Sequence, residues 1–232
     1  MLTLALETSA KSGSIAVLRD REPVIEQILP DDQRTAQSLA PGIVDVLSDA
    51  GLTPKQIDLV AVTQGPGSFT GLRVGITTAK TFAYTTGAAV LGVNTLEVLA
   101  RQAPEDSLAT CAVIDAQRQQ QFAANYRRTK AGDPLNETSA CQIIDDDEWL
   151  ARLQPGTCAI GPGLGKRRDA LLPQIPQGVV VADRNDWLPR AGTVGQLAFD
   201  QYAAGRRDDL WKLLPHYHRK SAAEEKLEQA PE

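Results

Sequence analysis

The sequence predicts an α/β protein of two tandem units, each a mixed sheet flanked by helices, with a cleft between them. Three observations carry that expectation. Apolar residues recur alternately at steps of two and at steps of three or four along the chain. One coarse order is read twice, as three strands, helix, strand, glycine turn, helix, strand, helix, without a matching residue repeat. The length of 232 residues also suits one large domain or two small ones, at roughly 150 residues per domain. We expect one unit over residues 1–103 and a second over 104–232, joined at Ala103-Pro104-Glu105-Asp106.

In the first unit, residues 2–6 alternate as a strand and lead into Glu7-Thr8-Ser9. Residues 14–18 and 23–29 read as the second and third strands, the first turn carrying Lys11-Ser12-Gly13. The period then changes. Leu39, Ile43, Val46, Leu47 and Ala50 recur at helical steps over 38–50, with Gly51 as the C-terminal stop. Residues 57–62 (IDLVAV) form a nearly continuous apolar run, as in a strand covered on both faces. After the turn QGPGSFTG come a helix over 72–86, a strand over 90–93 and a helix over 95–102.

The second unit begins with strands over 111–115, 119–126 and 138–144. A helix over 146–153 follows, with acidic residues in its first turn where the helix dipole favours them. Next come a strand over 157–160, the turn GPGLG (161–165), a helix to Leu172, a strand over 178–181 and a final helix over 193–204. The charged tail SAAEEKLEQAPE reads as frayed.

Composition narrows the function classes. A net charge of -5 argues against a protein that grips nucleic acid through its own charge. The three cysteines (Cys111, Cys141, Cys158) lack CxxC spacing and read as buried thiols of a cytoplasmic protein rather than a bridged or zinc-binding framework. The uncharged stretch 81–96 contains Thr, Tyr, Gly and Asn and falls short of the ~20 apolar residues a membrane span needs. No targeting segment is read at MLTLALETSAKSG, so no membrane partner is expected.

Two glycine turns and a strand end are the candidate sites. Gly65, Gly67 and Gly71 lie between a buried strand and a helix, where backbone N–H groups and the helix dipole can receive an anion. The segment is not a P-loop, because no Lys-Ser/Thr follows the last glycine, and its spacing misses the dinucleotide fingerprint by one residue. A plain strand-to-helix turn with Ser68 or Thr70 as N-cap is the structural alternative. In ETSAKSGS, backbone amides and the hydroxyls of Thr8, Ser9 and Ser12 could hold phosphates, with Glu7 placed to reach a hydrated Mg²⁺; a polar hairpin is the simpler reading. GPGLG precedes Lys166-Arg167-Arg168, either an anion-facing helix start or a solvated cluster, and brings in Gly161 and Gly163. His216 and His218 could share a strand face toward a metal, but no third ligand is near in sequence, so no metal site is assigned. Asp115 ends an apolar strand without an evident carboxylate partner, and no GxSxG elbow is present.

At GPGSFTGLRVGI the sequence resembles the bacterial TsaB (YeaZ) family. The supporting landmarks are ALETSAKSGSIAV before it and GVNTLEVLA, VIDAQR and PHYHRKSAAEEK after it, in the family's order across nearly the whole chain. The resemblance implies an actin/Hsp70/sugar-kinase-like (ribonuclease H-like) fold in two tandem domains. It also implies a non-catalytic subunit for N6-threonylcarbamoyladenosine synthesis at position 37 of tRNA. In that scheme one enzyme makes threonylcarbamoyl-adenylate, and a metal-bearing TsaD-type paralogue transfers the group to tRNA. The TsaB-type subunit pairs with and activates that transferase, and a TsaE-type ATPase docks on the pair. Self-association through overlapping surface is a further family property.

Carried onto this chain, the pairing surface comprises Leu39, Ile43 and Leu47 of the early helix and Phe69, Leu72, Arg73 and Ile76 of the helix after GPGSFTG, with Phe82 continuing the stripe. Glu7, Thr8, Ser9, Ser12, Gly65, Gly67, Ser68, Gly161 and Gly163 would form a remnant phosphate or nucleotide site. No tightly bound cofactor is expected; ATP or ADP would sit at the interface with the partner, and tRNA would be met through the complex. Four departures stand out: Glu7 replaces the family's usual Asp, Arg34 its usual His, Arg118 comes one place late, and Gln119, Gln120 and Gln121 form a glutamine run. The alternative class is an ATP-dependent phosphotransferase of the sugar-kinase-like fold, for which Asp115 and Glu7 are the candidate carboxylates. A protease reading lacks any nucleophile paired with a base.

Overall fold

In the computed structural model, which describes residues 1–165 and 168–219, the chain forms two five-stranded mixed sheets of equivalent topology. The first contains β1 (Leu2–Glu7), β2 (Ser14–Arg19), β3 (Glu22–Ile28), β4 (Leu59–Gly65) and β5 (Ala89–Asn94), in the order β3-β2-β1-β4-β5. The β1–β2 and β2–β3 pairs are antiparallel, and β1–β4 and β4–β5 are parallel. The second contains β6 (Ala109–Gln117), β7 (Gln120–Arg127), β8 (Asn136–Asp145), β9 (Thr157–Ile160) and β10 (Val180–Val181), in the order β10-β9-β6-β7-β8. Its pairing directions repeat those of the first. The repeated topology agrees with the two tandem units expected from the duplicated element order.

Each helix matches an expected segment: α1 (Thr35–Asp49), α2 (Phe69–Thr86), α3 (Thr95–Gln102), α4 (Asp146–Arg152), α5 (Arg168–Leu171) and α6 (Ala191–Ala203). Three begin earlier than the apolar period suggests, α6 by two residues and α1 and α2 by three. The first turns of α1 and α2, Thr35-Ala36-Gln37 and Phe69-Thr70-Gly71, carry little periodic apolar signal, and in α2 Ser68 caps the helix by accepting from the Gly71 N–H at 3.2 Å. Gly51 and Gly87 adopt left-handed φ (66° and 81°) just past the ends of α1 and α2, as C-terminal glycines do. In the second half the helix expected to reach Leu172 is shorter, with α5 followed by a 3₁₀ turn, and β10 is reduced to two residues. Lys166, Arg167 and the tail 221–232 lie outside the described residues.

Strand alternation explains the layering. In the first sheet, Leu4, Leu6, Ile15, Val17, Val60 and Val62 face one core with α1 and α2. Ala5, Ala16, Leu18, Leu59 and Ala61 face the other with α6, so both faces are covered, as the run IDLVAV predicts. The two last helices cross over between halves. Leu96, Leu99 and Ala100 of α3 join the core of the second sheet, while Ala191, Val194, Leu197 and Ala198 of α6 join that of the first. The N-terminus of α6 is held from across the chain: Ala191 N–H donates to Ser14 Oγ and Gly192 N–H to Glu26 Oε1, each at 2.9 Å. These bonds satisfy two of the amides that every helix start leaves open, and Glu26 places a negative charge at the positive end of the dipole. Among the described residues no helix is long and apolar enough to cross a membrane.

Candidate functional site

The end of β1 and the glycine turn after β4 meet. Ser68 N–H donates to the Ser9 carbonyl at 2.7 Å, and Thr8 N–H to Thr63 Oγ1 at 3.2 Å. Gly67, at φ 159°, approaches so closely that an added Cβ would fall 2.6 Å from Ser9 Cβ and from its carbonyl oxygen. One and two turns further, Cβ atoms at Gly71 and Gly75 would collide with the Thr8 carbonyl and Thr8 Oγ1. The small residues of GPGSFTGLRVG therefore let α2 lie directly on Thr8 and Ser9. Gly65 packs against His216 and Leu72, while Glu7, Thr8, Ser9, Gly67 and Ser68 form one packed cluster.

Glu7 is sealed inside it. The residue is 0% exposed, and its Oε1 accepts from Ser9 N–H at 2.6 Å and from the Ser9 hydroxyl. Oε2 and Thr8 Oγ1 are buried without a hydrogen-bond partner among the described residues. Burial pushes the Glu7 carboxyl up from 4.5 to about 7, partly offset by hydrogen bonds from Ser9, Ala10 and Thr63. The Glu7 carboxyl is thus turned into protein and held by Ser9.

The remaining candidates lie apart. The Ser12 hydroxyl bonds to Asp31 in an exposed turn. Gly161 packs against the Val113 carbonyl and Gly163 against the Gln121 side chain, both in the second half. Asp115 Oδ1 accepts from Gln117 N–H at 2.8 Å in the β6–β7 turn, where Gln117, Arg118 and Gln119 all take left-handed φ (63°, 53° and 62°). His216 and His218 diverge. His216 N–H donates to the Gln64 carbonyl at 2.8 Å, while the His218 ring sits 6.1 Å from that of Phe122, where burial and then His216 lower its pKa. Burial pushes the Cys111 thiol up to about 11 and Cys141 up to about 12, and it raises Cys158 as well, which suits unreactive thiols. A cavity of about 240 Å³ opens elsewhere, between α3 and α6, and includes Glu97, Arg101, Leu197 and Asp200.

The expected apolar stripe requires correction. Leu39, Ile43, Leu47, Leu72 and Ile76 are each at most 6% exposed and belong to the chain's own core, because α1 and α2 turn that stripe onto the sheet. Phe82 is half-buried against the same core. Phe69 is half-buried and Arg73 exposed. What these helices present outward includes Val44 (65% exposed) and Tyr84 (66%), with Trp211 (70%) and Leu214 (62%) of the C-terminal segment beside α2. Periodicity identified the apolar face correctly but could not tell inside from outside. The outward Val44 and Tyr84 give no periodic signal.

Known proteins place this arrangement. The family model described as "TsaD: tRNA N6-adenosine threonylcarbamoyltransferase" matches residues 29–155. An uncharacterised Mycobacterium tuberculosis protein is 34% identical over 53% of this chain and 58% of its own, so the match spans less than two thirds of that relative. The Bacillus subtilis tRNA threonylcarbamoyladenosine biosynthesis protein TsaB is 31% identical, with 97% of each chain covered. The Escherichia coli protein of the same name is 28% identical, with 98% of each covered. A solved structure of YeaZ from Pseudomonas aeruginosa superposes with a TM-score of 0.78 at 26% identity, over 93% of this chain and 99% of that one. With two relatives matched end to end and a shared two-sheet fold, the chain belongs to the TsaB (YeaZ) family.

Proposed function

We propose that this chain is an accessory subunit in tRNA threonylcarbamoyladenosine synthesis, pairing in the cytosol with a TsaD-type transferase and activating it. The carrying observation is the sealed Glu7 cluster in a chain that is TsaB-like from end to end. The strand-end carboxylate that a phosphotransferase of this fold would turn toward its substrate is buried and bonded to Ser9, so the geometry favours a supporting role over phosphoryl transfer. The net charge of -5 leaves most of the tRNA contact to the partner, and a TsaE-type ATPase would join the pair. Any ATP or ADP would sit at the subunit interface.

The pairing surface in this proposal is the outward side of α1 and α2, with Val44, Arg73 and Tyr84 as contacts and Phe69 at its edge. A self-associated form would use the same side. Co-purification with the TsaD-type protein of the same genome tests it. Tyr84→Arg and Val44→Asp should each weaken pairing at least tenfold while leaving the melting temperature nearly unchanged. Undiminished pairing by both variants would overturn the assignment.

A further inference from the structure

Residues 208–219 follow α6 as an irregular segment that touches both halves of the molecule. On the first half, Gly92 N–H donates to Asp208 Oδ2 at 2.9 Å, and Lys80 Nζ reaches the carbonyls of Trp211 and Leu213 at 3.2 and 3.3 Å. Leu213 is 3% exposed and sits in the core formed with Ile76, Ala79 and Val90. Gln64 then holds the chain twice: its Nε2 donates to the Leu214 carbonyl at 2.6 Å, and its carbonyl accepts from His216 N–H at 2.8 Å. The His216 carbonyl lies 2.7 Å from where a Cβ on Gly65 would stand, so the turn after β4 is covered. Tyr217 stacks on Phe69, and Arg73 Nε donates to its hydroxyl at 2.8 Å. The next two residues belong to the second half. The His218 ring faces Phe122, and the Arg219 guanidinium donates to the Ala116 carbonyl and Gln120 Oε1 at the β6–β7 turn.

We propose that segment 208–219 is a strap that locks the two halves together by bridging the Gly65 turn and the β6–β7 turn. Three consecutive side chains make the crossing, so the lock depends on Tyr217, His218 and Arg219 acting in series. The Arg219 guanidinium engages two acceptors beside a turn of three left-handed non-glycine residues, where the backbone is strained and gains most from outside support. A series lock transmits disturbance across itself, whereas separate surface contacts do not.

Hydrogen exchange of the full-length protein and two point variants separates these cases. Tyr217→Ala removes described contacts to the first half only, and Arg219→Ala to the second half only. The lock predicts that Tyr217→Ala raises amide exchange at 116–121 at least fivefold and that Arg219→Ala does the same at 64–67. Exchange in β1 and α6 should stay unchanged in both variants, which certifies that each is folded. Faster exchange confined to the half the removed side chain touches would overturn the proposal, and Arg219→Ala alone decides it should Tyr217→Ala fold poorly.

Discussion

Tyr217 lies flat on Phe69, with ring centroids 4.1 Å apart and planes 17° from parallel, and Arg73 completes the arrangement with its guanidinium 4.3 Å from the Phe69 centroid. Three residues separated by up to 148 positions thus form one aromatic and cationic stack on the start of α2. Two of them, Phe69 and Arg73, are residues the family resemblance assigns to the pairing surface, so the C-terminal segment shapes the very edge at which we propose a partner docks.

The stack should behave as a coupled unit. In a double-mutant cycle of Arg73→Ala and Tyr217→Ala, followed by urea unfolding, the coupling energy should be about 1 kcal/mol, as for a partly exposed cation–π contact with a shared hydrogen bond. Additive effects of the two substitutions would contradict it.

Ile43 and Val44 are neighbours in α1 with opposite fates, 6% and 65% exposed. Ile43→Arg forces a charge into the first-sheet core and should cost more than about 4 kcal/mol, so the variant should be recovered unfolded or insoluble. Val44→Asp should stay within about 0.5 kcal/mol of the parent. Circular dichroism melts distinguish them, and a folded Ile43→Arg protein would refute the inward assignment of the stripe.

Glu7 gives a pH dependence of defined sign. Its folded pKa of about 7 lies above the ordinary 4.5, so the protonated form is favoured by folding. The associated stability is fully present below pH 4.5 and is lost as pH rises to about 7, by up to about 3 kcal/mol at 1.36 kcal/mol per pH unit. Glu7→Gln removes that loss. The variant should therefore gain on the parent by roughly 1–3 kcal/mol between pH 4.5 and 8 in parallel denaturant titrations. A variant-to-parent difference independent of pH would exclude a titrating Glu7.

Close approach of α2 to Thr8 makes Gly71 intolerant. An alanine Cβ there meets the Thr8 carbonyl, which is backbone and cannot swing aside. Gly71→Ala should destabilise by roughly 3 kcal/mol in chemical unfolding, despite alanine's better helix propensity. A neutral or stabilising result would show that the helix can lift off the strand end.

The elements of both sheets were legible because the core strands alternate or run continuously apolar and each long helix carries its apolar residues at helical steps. Ile57, Leu59, Val60 and Val62 announce a strand covered on both faces, and Gly51 announces the end of α1. Membership of two sheets was legible from order alone. What stayed hidden depends on contacts distant in sequence. That α6 lies on the first sheet rests on Ala191 and Gly192 bonding to Ser14 and Glu26, more than 160 positions away. The strap has no periodicity to detect, and its PHYHR residues carry meaning only beside Gln64, Phe69 and Gln120. Within the site, the glycine spacing told of a tight turn, but only packing against Thr8 and Ser9 reveals that Glu7 is enclosed.

The central claim is that this chain is needed by a TsaD-type transferase, and the direct measurement is threonylcarbamoyladenosine formed on tRNA by the reconstituted proteins of its own genome, with this chain present or omitted. The account predicts formation that requires the chain and that falls with Tyr84→Arg in proportion to lost pairing. Equal formation in its absence would contradict the account and leave only a shared fold.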